Sequence, residues 1–484
     1  MSLNQLLKKA YNSKVTVPHG YEEVADSVVV RSTHHSFFKA LKLTGVVAAS
    51  TFGALVLVAA GSVIISSLEI NSSPESVQKA RFSVYDANLI KTSTFQRLNT
   101  INYTAEQEKN PIDPDFKYGV EQFACDSFAT VDKTKNYAYS PLMLYTQLDL
   151  ISCAASDQET MDQFNSVLSG DTSLRKTGVA TAMRNNFFAN DKEKCTVQAK
   201  NAVFLEEEFG AKDQFVQDMT DRNAEVFDMD FQNPEDVGRA CEWANASVNQ
   251  PGFLKAKDLE IKEDSAMLFL SSLYFDNTWS SKFMKEDTKP DDFHLLDGST
   301  VQKDFMNHIS YAGFTDQITY VSVTDTYKSD YSIQYFVPKN VKDNIFDLLP
   351  SDFLFKADQE REIVSLSLPK MSLTCESDLS QMVKDLGITN PYVEKSNHLK
   401  NAFRRGDELE YSYLNYTKQK TSVSFDEDGT VVKSITFSLG AVGDAAVGPG
   451  DNGYHVQLNQ PFVYCIRDPK GLPLIVGSVL NPGY

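Results

Sequence analysis

The chain lacks the short patterns around which enzymes are built. No GxSxG, HExxH or P-loop occurs in its 484 residues, and the one GxGxxG, Gly448 to Gly453, lies in a long glycine-rich stretch rather than between a strand and a helix. The seven histidines, His19, His34, His35, His294, His308, His398 and His455, show no ligand spacing. The six cysteines, Cys125, Cys153, Cys195, Cys241, Cys375 and Cys465, form no CxxC and no Cys/His set, which argues against zinc. Nothing calls for a cofactor. Positive charge is also short: 46 Lys and Arg face 65 Asp and Glu, for a net −19. Residues 1–42 hold +3, so the remainder carries −22 (−19 − 3). Such a surface repels nucleic acid and heparin-like polyanions and suits neutral or basic protein partners. Internal repeats and strand–helix–strand alternation are absent as well.

One stretch lacks charge altogether. Leu43 to Leu68 runs for 26 positions without a charged side chain and without a polar face at helical spacing. At 1.5 Å per residue it exceeds a bilayer core of about 30 Å. The apolar run is too long for a cleaved leader, and the segment before it is longer still. The spacing predicts a transmembrane signal-anchor helix over 43–68. The Lys and Arg excess precedes it, so residues 1–42 are expected in the cytosol and the rest outside or in a lumen, as in a single-pass type II protein. Four Asn-x-Ser/Thr sites, at Asn71, Asn102, Asn245 and Asn415, all follow the anchor. Asn71 and Asn102 are the better acceptors, because Asn245 falls in a predicted helix. Exported cysteines could pair in 15 full combinations; alternatively most are small buried apolar residues, as Cys465 in an apolar strand suggests.

Residues 69–113 read as a polar juxtamembrane linker. From 114 to 484 the pattern is continuous, with 42% hydrophobic residues in the whole chain to supply a core. Helical faces come first, such as Val120, Phe123, Ala124 and Phe128, then a helix opened by Ser140-Pro141. Another starts at Asn233-Pro234. Apolar strands follow, including Ala266–Phe275, Ser332–Val337 and Val364–Leu368. The fold class is α+β with large, mainly antiparallel sheets. Near the end, Ser422–Phe425 leads through Asp426-Glu-Asp-Gly429 into about 25 residues with five glycines and little charge, Val431 to His455. Two apolar strands close the chain. A long uncharged loop held by strands reads as an exposed bait or binding loop.

Several segments, in order, resemble those of the serpins. They are Asn136-Tyr-Ala-Tyr-Ser-Pro141; Asn223-Ala-Glu-Val-Phe-Asp-Met-Asp-Phe231 with the Trp243 helix; Leu273-Tyr-Phe275 with Trp279; Leu368-Pro-Lys370; Leu379 with Leu386-Gly-Ile388; and Gln460-Pro-Phe462, Ile466-Arg-Asp468, Gly477 and Asn481-Pro482. The resemblance implies a serpin fold with an exposed reactive-centre loop, and a protease inhibitor rather than an enzyme. A target protease cleaves the loop, which then enters the central sheet as a new strand and drags the acylated protease with it.

By that resemblance Glu427, Gly429, Thr430, Val431 and Val432 form the loop hinge. Thr430, Val432, Ser434 and Thr436 would face the core and Lys433 would face solvent. A strand spanning the sheet needs about 14 residues at about 3.3 Å each. This places the scissile region at Val442, Gly443, Asp444 and Ala445, suiting an elastase-like or Asp-specific protease. Counting back from Gln460 points near Gly450 instead. No Lys or Arg lies between Ser434 and Asn459, which disfavours a trypsin-like target. The sheet-opening positions are Ser140, Met143, Ser271, Trp279 and Gln419, where the family's usual Ser/Asn/His set is partly replaced. Bulk at Val431 and Val432 and the rewritten switch lead to the expectation of a weak or non-inhibitory serpin acting as a binding module. The alternative is a true loop-insertion inhibitor. The expected partner is an extracellular protease or other protein, with the membrane reached through one helix.

Overall fold

The computed structural model describes residues 93–103, 110–190, 194–355, 359–434 and 453–483, together with the backbone of 46–49, 54–59 and 62–67. The chain divides into two compact units, Met1–Ser93 and Thr94–Tyr484. In the first, Val46–Ala49, Ala54–Ala59 and Ser62–Ser67 pair antiparallel as a three-stranded sheet. Where a single helix is expected over 43–68, the described backbone is therefore strand. Valine and isoleucine supply the strand preference, and Ala60-Gly61 separates the second and third strands. No helix among the described residues is long and apolar enough to cross a membrane.

The second unit is mixed α and β. Asp113 and Ser140 cap Pro114–Ala129 and Pro141–Ser152 by accepting from backbone N–H groups, with proline in the first turn of each. Gln158–Leu168 and Thr172–Asn185 follow. Buried Asp149 receives hydrogen bonds from Arg175 at 2.9 Å and Arg222 at 2.7 Å, tying three helical segments together. Among the described residues the central sheet has eight strands. Across it run Met371–Asp378, Lys418–Phe425, Gly429–Ser434, Met267–Thr278, Cys195–Glu206, Ala224–Met229 and Gln96–Arg97, with Phe187–Asn190 paired onto Cys195–Glu206. A nine-stranded sheet includes Thr300–Asp316, Glu360–Pro369 and the two closing strands Phe462–Arg467 and Pro473–Val479. Nearly all pairings are antiparallel, as the absence of strand–helix–strand alternation predicts.

Two apolar clusters sandwich the central sheet. The large one holds Val197, Leu273, Phe275, Val423 and Val432, and the smaller one holds Phe204, Phe227, Leu270 and the helix Pro234–Ser247 through Val237, Ala240 and Ala244. Successive strand residues feed opposite clusters because side chains alternate across a sheet. No disulfide joins any two of the six cysteines, and four of them are buried.

Part of the expected linker belongs to this unit. Gln96–Arg97 pairs antiparallel with the outer strand Ala224–Met229. Asn99 accepts from the Val226 N–H at 2.9 Å and donates to the Ala224 carbonyl and the Thr220 hydroxyl, both at 2.9 Å. Phe95 lies 5.0 Å from the Phe227 ring. Thr94 donates to Asp236 in the first turn of the helix Pro234–Ser247. The polar composition that suggests a linker instead supplies hydrogen bonds to an exposed sheet edge.

Candidate functional site

The hinge is a strand inside the central sheet. Gly429–Ser434 pairs antiparallel with Met267–Thr278 on one side and Lys418–Phe425 on the other. All six of its residues are buried. Thr430 and Val432 face the main core; the Thr430 hydroxyl accepts from Tyr327 at 2.7 Å. Val431 and Lys433 lie on the opposite face. The expected alternation holds, but the expected exposure does not: the Lys433 side chain is 3% exposed. Neighbouring strands and the cover over that face close off solvent. Burial pushes its ammonium down to about 7, and Asp276 partly offsets the effect.

The turn before the strand is pinned at the top of the sheet. Trp279 is fully buried, stacks on Tyr327 at 4.8 Å, and donates from Nε1 to the Asp426 carbonyl at 2.8 Å. Its backbone N–H donates to the Asp428 carbonyl. Lys282 pairs with Asp428 at 2.6 Å and Lys370 with Glu427 at 2.8 Å. Burial would raise the Glu427 carboxyl, but Lys370, a backbone N–H and the Thr288 hydroxyl hold it below the usual range. Gly429 has no room for a side chain, since a Cβ there would sit 2.2 Å from the Asn277 carbonyl oxygen.

Below Ser434 the two flanking strands continue with no described residue between them. Among the described residues this slot opens into a cavity of about 390 Å³. Met143, Gln147, Ser271 and Gln419 are among its lining residues. Gln147 donates to the Phe269 carbonyl at 3.0 Å. The Ser271 hydroxyl is buried with no hydrogen-bond partner among the described residues. Gln419 accepts from the Ser140 N–H at 2.7 Å, while the Ser140 hydroxyl donates to the Leu474 carbonyl at 2.6 Å. Gln419 thus ties the helix Pro141–Ser152 to the sheet. All five sheet-opening positions are placed around the hinge strand: Trp279 above it, and Ser140, Met143, Ser271 and Gln419 around its lower end. Gln147 is a contributor that sequence reasoning missed; its helical spacing of four from Met143 could have found it.

The expected scissile residues Val442, Gly443, Asp444 and Ala445 lie outside the described residues. The loop's return strand, Tyr454–Gln457, pairs parallel with Glu360–Pro369. Asn71 is also outside them. Asn102 and Asn415 are exposed. Asn245 is not a free acceptor in the folded domain: it is 9% exposed, and its amide both donates to and accepts from the Leu254 backbone.

A family model described as Serpin (serine protease inhibitor) matches residues 118–482. The chain belongs to the serpin family. Serpins inhibit proteases and are not themselves enzymes. Serpin-Z10 of Arabidopsis thaliana is 26% identical over 381 residues, covering 73% of this chain and 94% of its own length. Serpin-Z7 of Hordeum vulgare is 26% identical, with 76% and 95% covered. The native-state crystal structure of the thermophilic serpin tengpin superposes with a TM-score of 0.64 at 22% identity, covering 80% of this chain and all of the other. The latent state of tengpin scores 0.63 at 22% identity, covering 77% of this chain and all of the other.

Proposed function

We infer that this serpin is a membrane-tethered, loop-inserting inhibitor of an extracellular or lumenal serine-type protease. The seated hinge carries the reading. Val431 and Val432, whose bulk argues for a weak or non-inhibitory binding module, are accommodated with their side chains buried. The residues that continue the core-facing phase are Thr436, Ser438, Gly440 and Val442, all small and uncharged. A strand of that composition can enter a buried sheet without desolvating a charge. Cleavage near Val442 to Ala445 would leave enough chain to cross the slot. The tether rests on the length and lack of charge of the run 43–68, not on its described backbone, which pairs as strands, and the basic excess before it would set a type II orientation. Asn102 and Asn415 are the glycan acceptors that the exposed surface offers.

A non-trapping binding module is the second reading. Burial of Lys433 favours it, because the hinge brings a titratable amine into the sheet. The full chain incubated with elastase-like and Asp-specific proteases separates the two. Trapping yields an SDS-stable complex and a released C-terminal fragment. Clean cleavage across the panel, with no complex, refutes inhibition.

A further inference from the structure

We propose that the outer sheet face beside the loop's return strand is a second docking surface for the protease that attacks the loop, with Ile309, Tyr311 and Ile363 as its apolar centre. The proposal rests on the inhibitor reading for its partner and deepens it by giving the protease a contact besides the loop. Alternation puts Ile309, Tyr311 and Gly313 on one face of Thr300–Asp316, with Arg361, Ile363 and Ser365 beside them on Glu360–Pro369. Tyr311 lies directly opposite Ile363, and Ile309 is two residues along. The three are 60%, 40% and 45% exposed for Tyr311, Ile363 and Ile309, so they form one contiguous apolar spot. Leu296, Ile318 and Val341 are also exposed, but each stands in a turn by itself. Single exposed hydrophobics need no explanation; adjoining ones on a flat sheet face do.

The occupant follows from where the loop ends. The return strand Tyr454–Gln457 pairs with Glu360–Pro369, Tyr454 opposite Val364. Gly453 comes in so close that a Cβ there would sit 2.7 Å from the Ile363 carbonyl oxygen. The chain therefore leaves the sheet against Ile363. From Ala445, the far end of the expected scissile region, to Gly453 is eight residues (453 − 445). Eight residues span at most about 29 Å. A protease of about 200 residues has a radius of gyration of about 16 Å, which makes it a body roughly 40 Å across. It is wider than this span is long, so a protease that grips the bond has Tyr311 and Ile363 within reach of its surface.

Charge narrows the partner's chemistry. The Arg361 guanidinium lies 5.2 Å over the Tyr311 ring and donates to the Tyr311 carbonyl. From the return strand, exposed His455 joins the face, its Nδ1 3.2 Å from the Ser365 hydroxyl. None of these outward residues is a carboxylate, in a chain with a net −19. The matching protease surface is an apolar side chain flanked by a carboxylate. Tyrosine and arginine carry binding energy out of proportion to their number, and a guanidinium already stacked on a ring loses little freedom when it binds.

Attack on the loop by an elastase-like and an Asp-specific serine protease, followed as loss of the intact full chain in detergent, tests this. That rate counts cleavage and trapping alike. For the faster protease it should fall at least ~10-fold in Tyr311→Ala with Ile363→Ser, and likewise in Arg361→Glu. The fraction ending as SDS-stable complex should not change, because loop and slot are untouched. Added salt should slow attack on the parent and leave Arg361→Glu nearly flat. The same protease with its active site chemically blocked should compete on the parent and not on the double variant. Unfolding midpoints should match the parent's, since all the altered side chains are exposed. Equal rates in parent and variants, with complex still forming, overturn the docking surface alone. Slower attack on the variants with no SDS-stable complex in any chain overturns the inhibitor reading and keeps the surface. A chain that neither protease attacks overturns both. A parent that sediments as a dimer and a double variant that sediments as a monomer, at equal rates of attack, assign the face to a second copy of this chain and overturn the proposal.

Discussion

Gly429 and Thr430 divide the work of starting the hinge strand. Glycine is needed because the backbone of Asn277 passes where its Cβ would be, 2.2 Å away from the carbonyl oxygen. Thr430 then gives the buried Tyr327 hydroxyl its acceptor. A Gly429→Ala change must push the hinge off Thr278 or shift the Asn277 peptide. It should cost about 1–3 kcal/mol, as overpacking does in a filled interior. The expected readout is a lower unfolding midpoint in urea together with faster proteolysis at the hinge. An unchanged midpoint would mean that the turn is not held where Trp279 and Lys370 place it. The presence of glycine at this position is legible in the sequence. The reason for it is not, because Asn277 is more than 150 residues away along the chain. Burial of Lys433 was hidden in the same way. Alternation assigns a face, but only tertiary packing decides whether that face is wet.

At the scale of elements, long apolar runs were readable and polar ones were not. Met267–Thr278, Phe462–Arg467 and Pro473–Val479 fall where hydrophobic runs put them. So do the helices begun by Ser140-Pro141 and Asn233-Pro234. The hinge strand reads as loop because glycine and turn residues precede it and uncharged residues follow, with no pattern marking the boundary at Ser434. Thr94 to Tyr103 reads as linker for a different reason. Its attachment is by backbone pairing, by Thr94 and Asn99, and by Phe95, Leu98 and Tyr103, a run too short to set a hydrophobic period. Asn99 satisfies one N–H, one carbonyl and one hydroxyl at the edge of the sheet. Asn99→Ala leaves those groups to find water and should cost about 1–3 kcal/mol. Hydrogen exchange should quicken in Ala224–Met229 and leave Phe462–Arg467 unchanged. If both respond equally, the segment supports the whole domain rather than its edge.

For the molecule as a whole, the slot that no described residue fills is where further stability is to be gained. Six hinge residues are seated, Gly429 to Ser434, while their neighbours Met267–Thr278 and Lys418–Phe425 run on past them. Each further residue that enters satisfies strand edges now facing a cavity of about 390 Å³. Nine more, to Gly443, at a net ~1 kcal/mol each would add about 9 kcal/mol. With an unfolding entropy near 2.1 cal/mol/K per residue over about 370 residues, that raises the midpoint by roughly 10 °C. Nicking the loop near Val442 should therefore produce a nicked chain more heat-stable than the intact one, by calorimetry at matched scan rates. A nicked chain that melts at or below the intact midpoint would mean the slot does not accept the strand, and the loop would then serve as a surface for binding rather than as a trap.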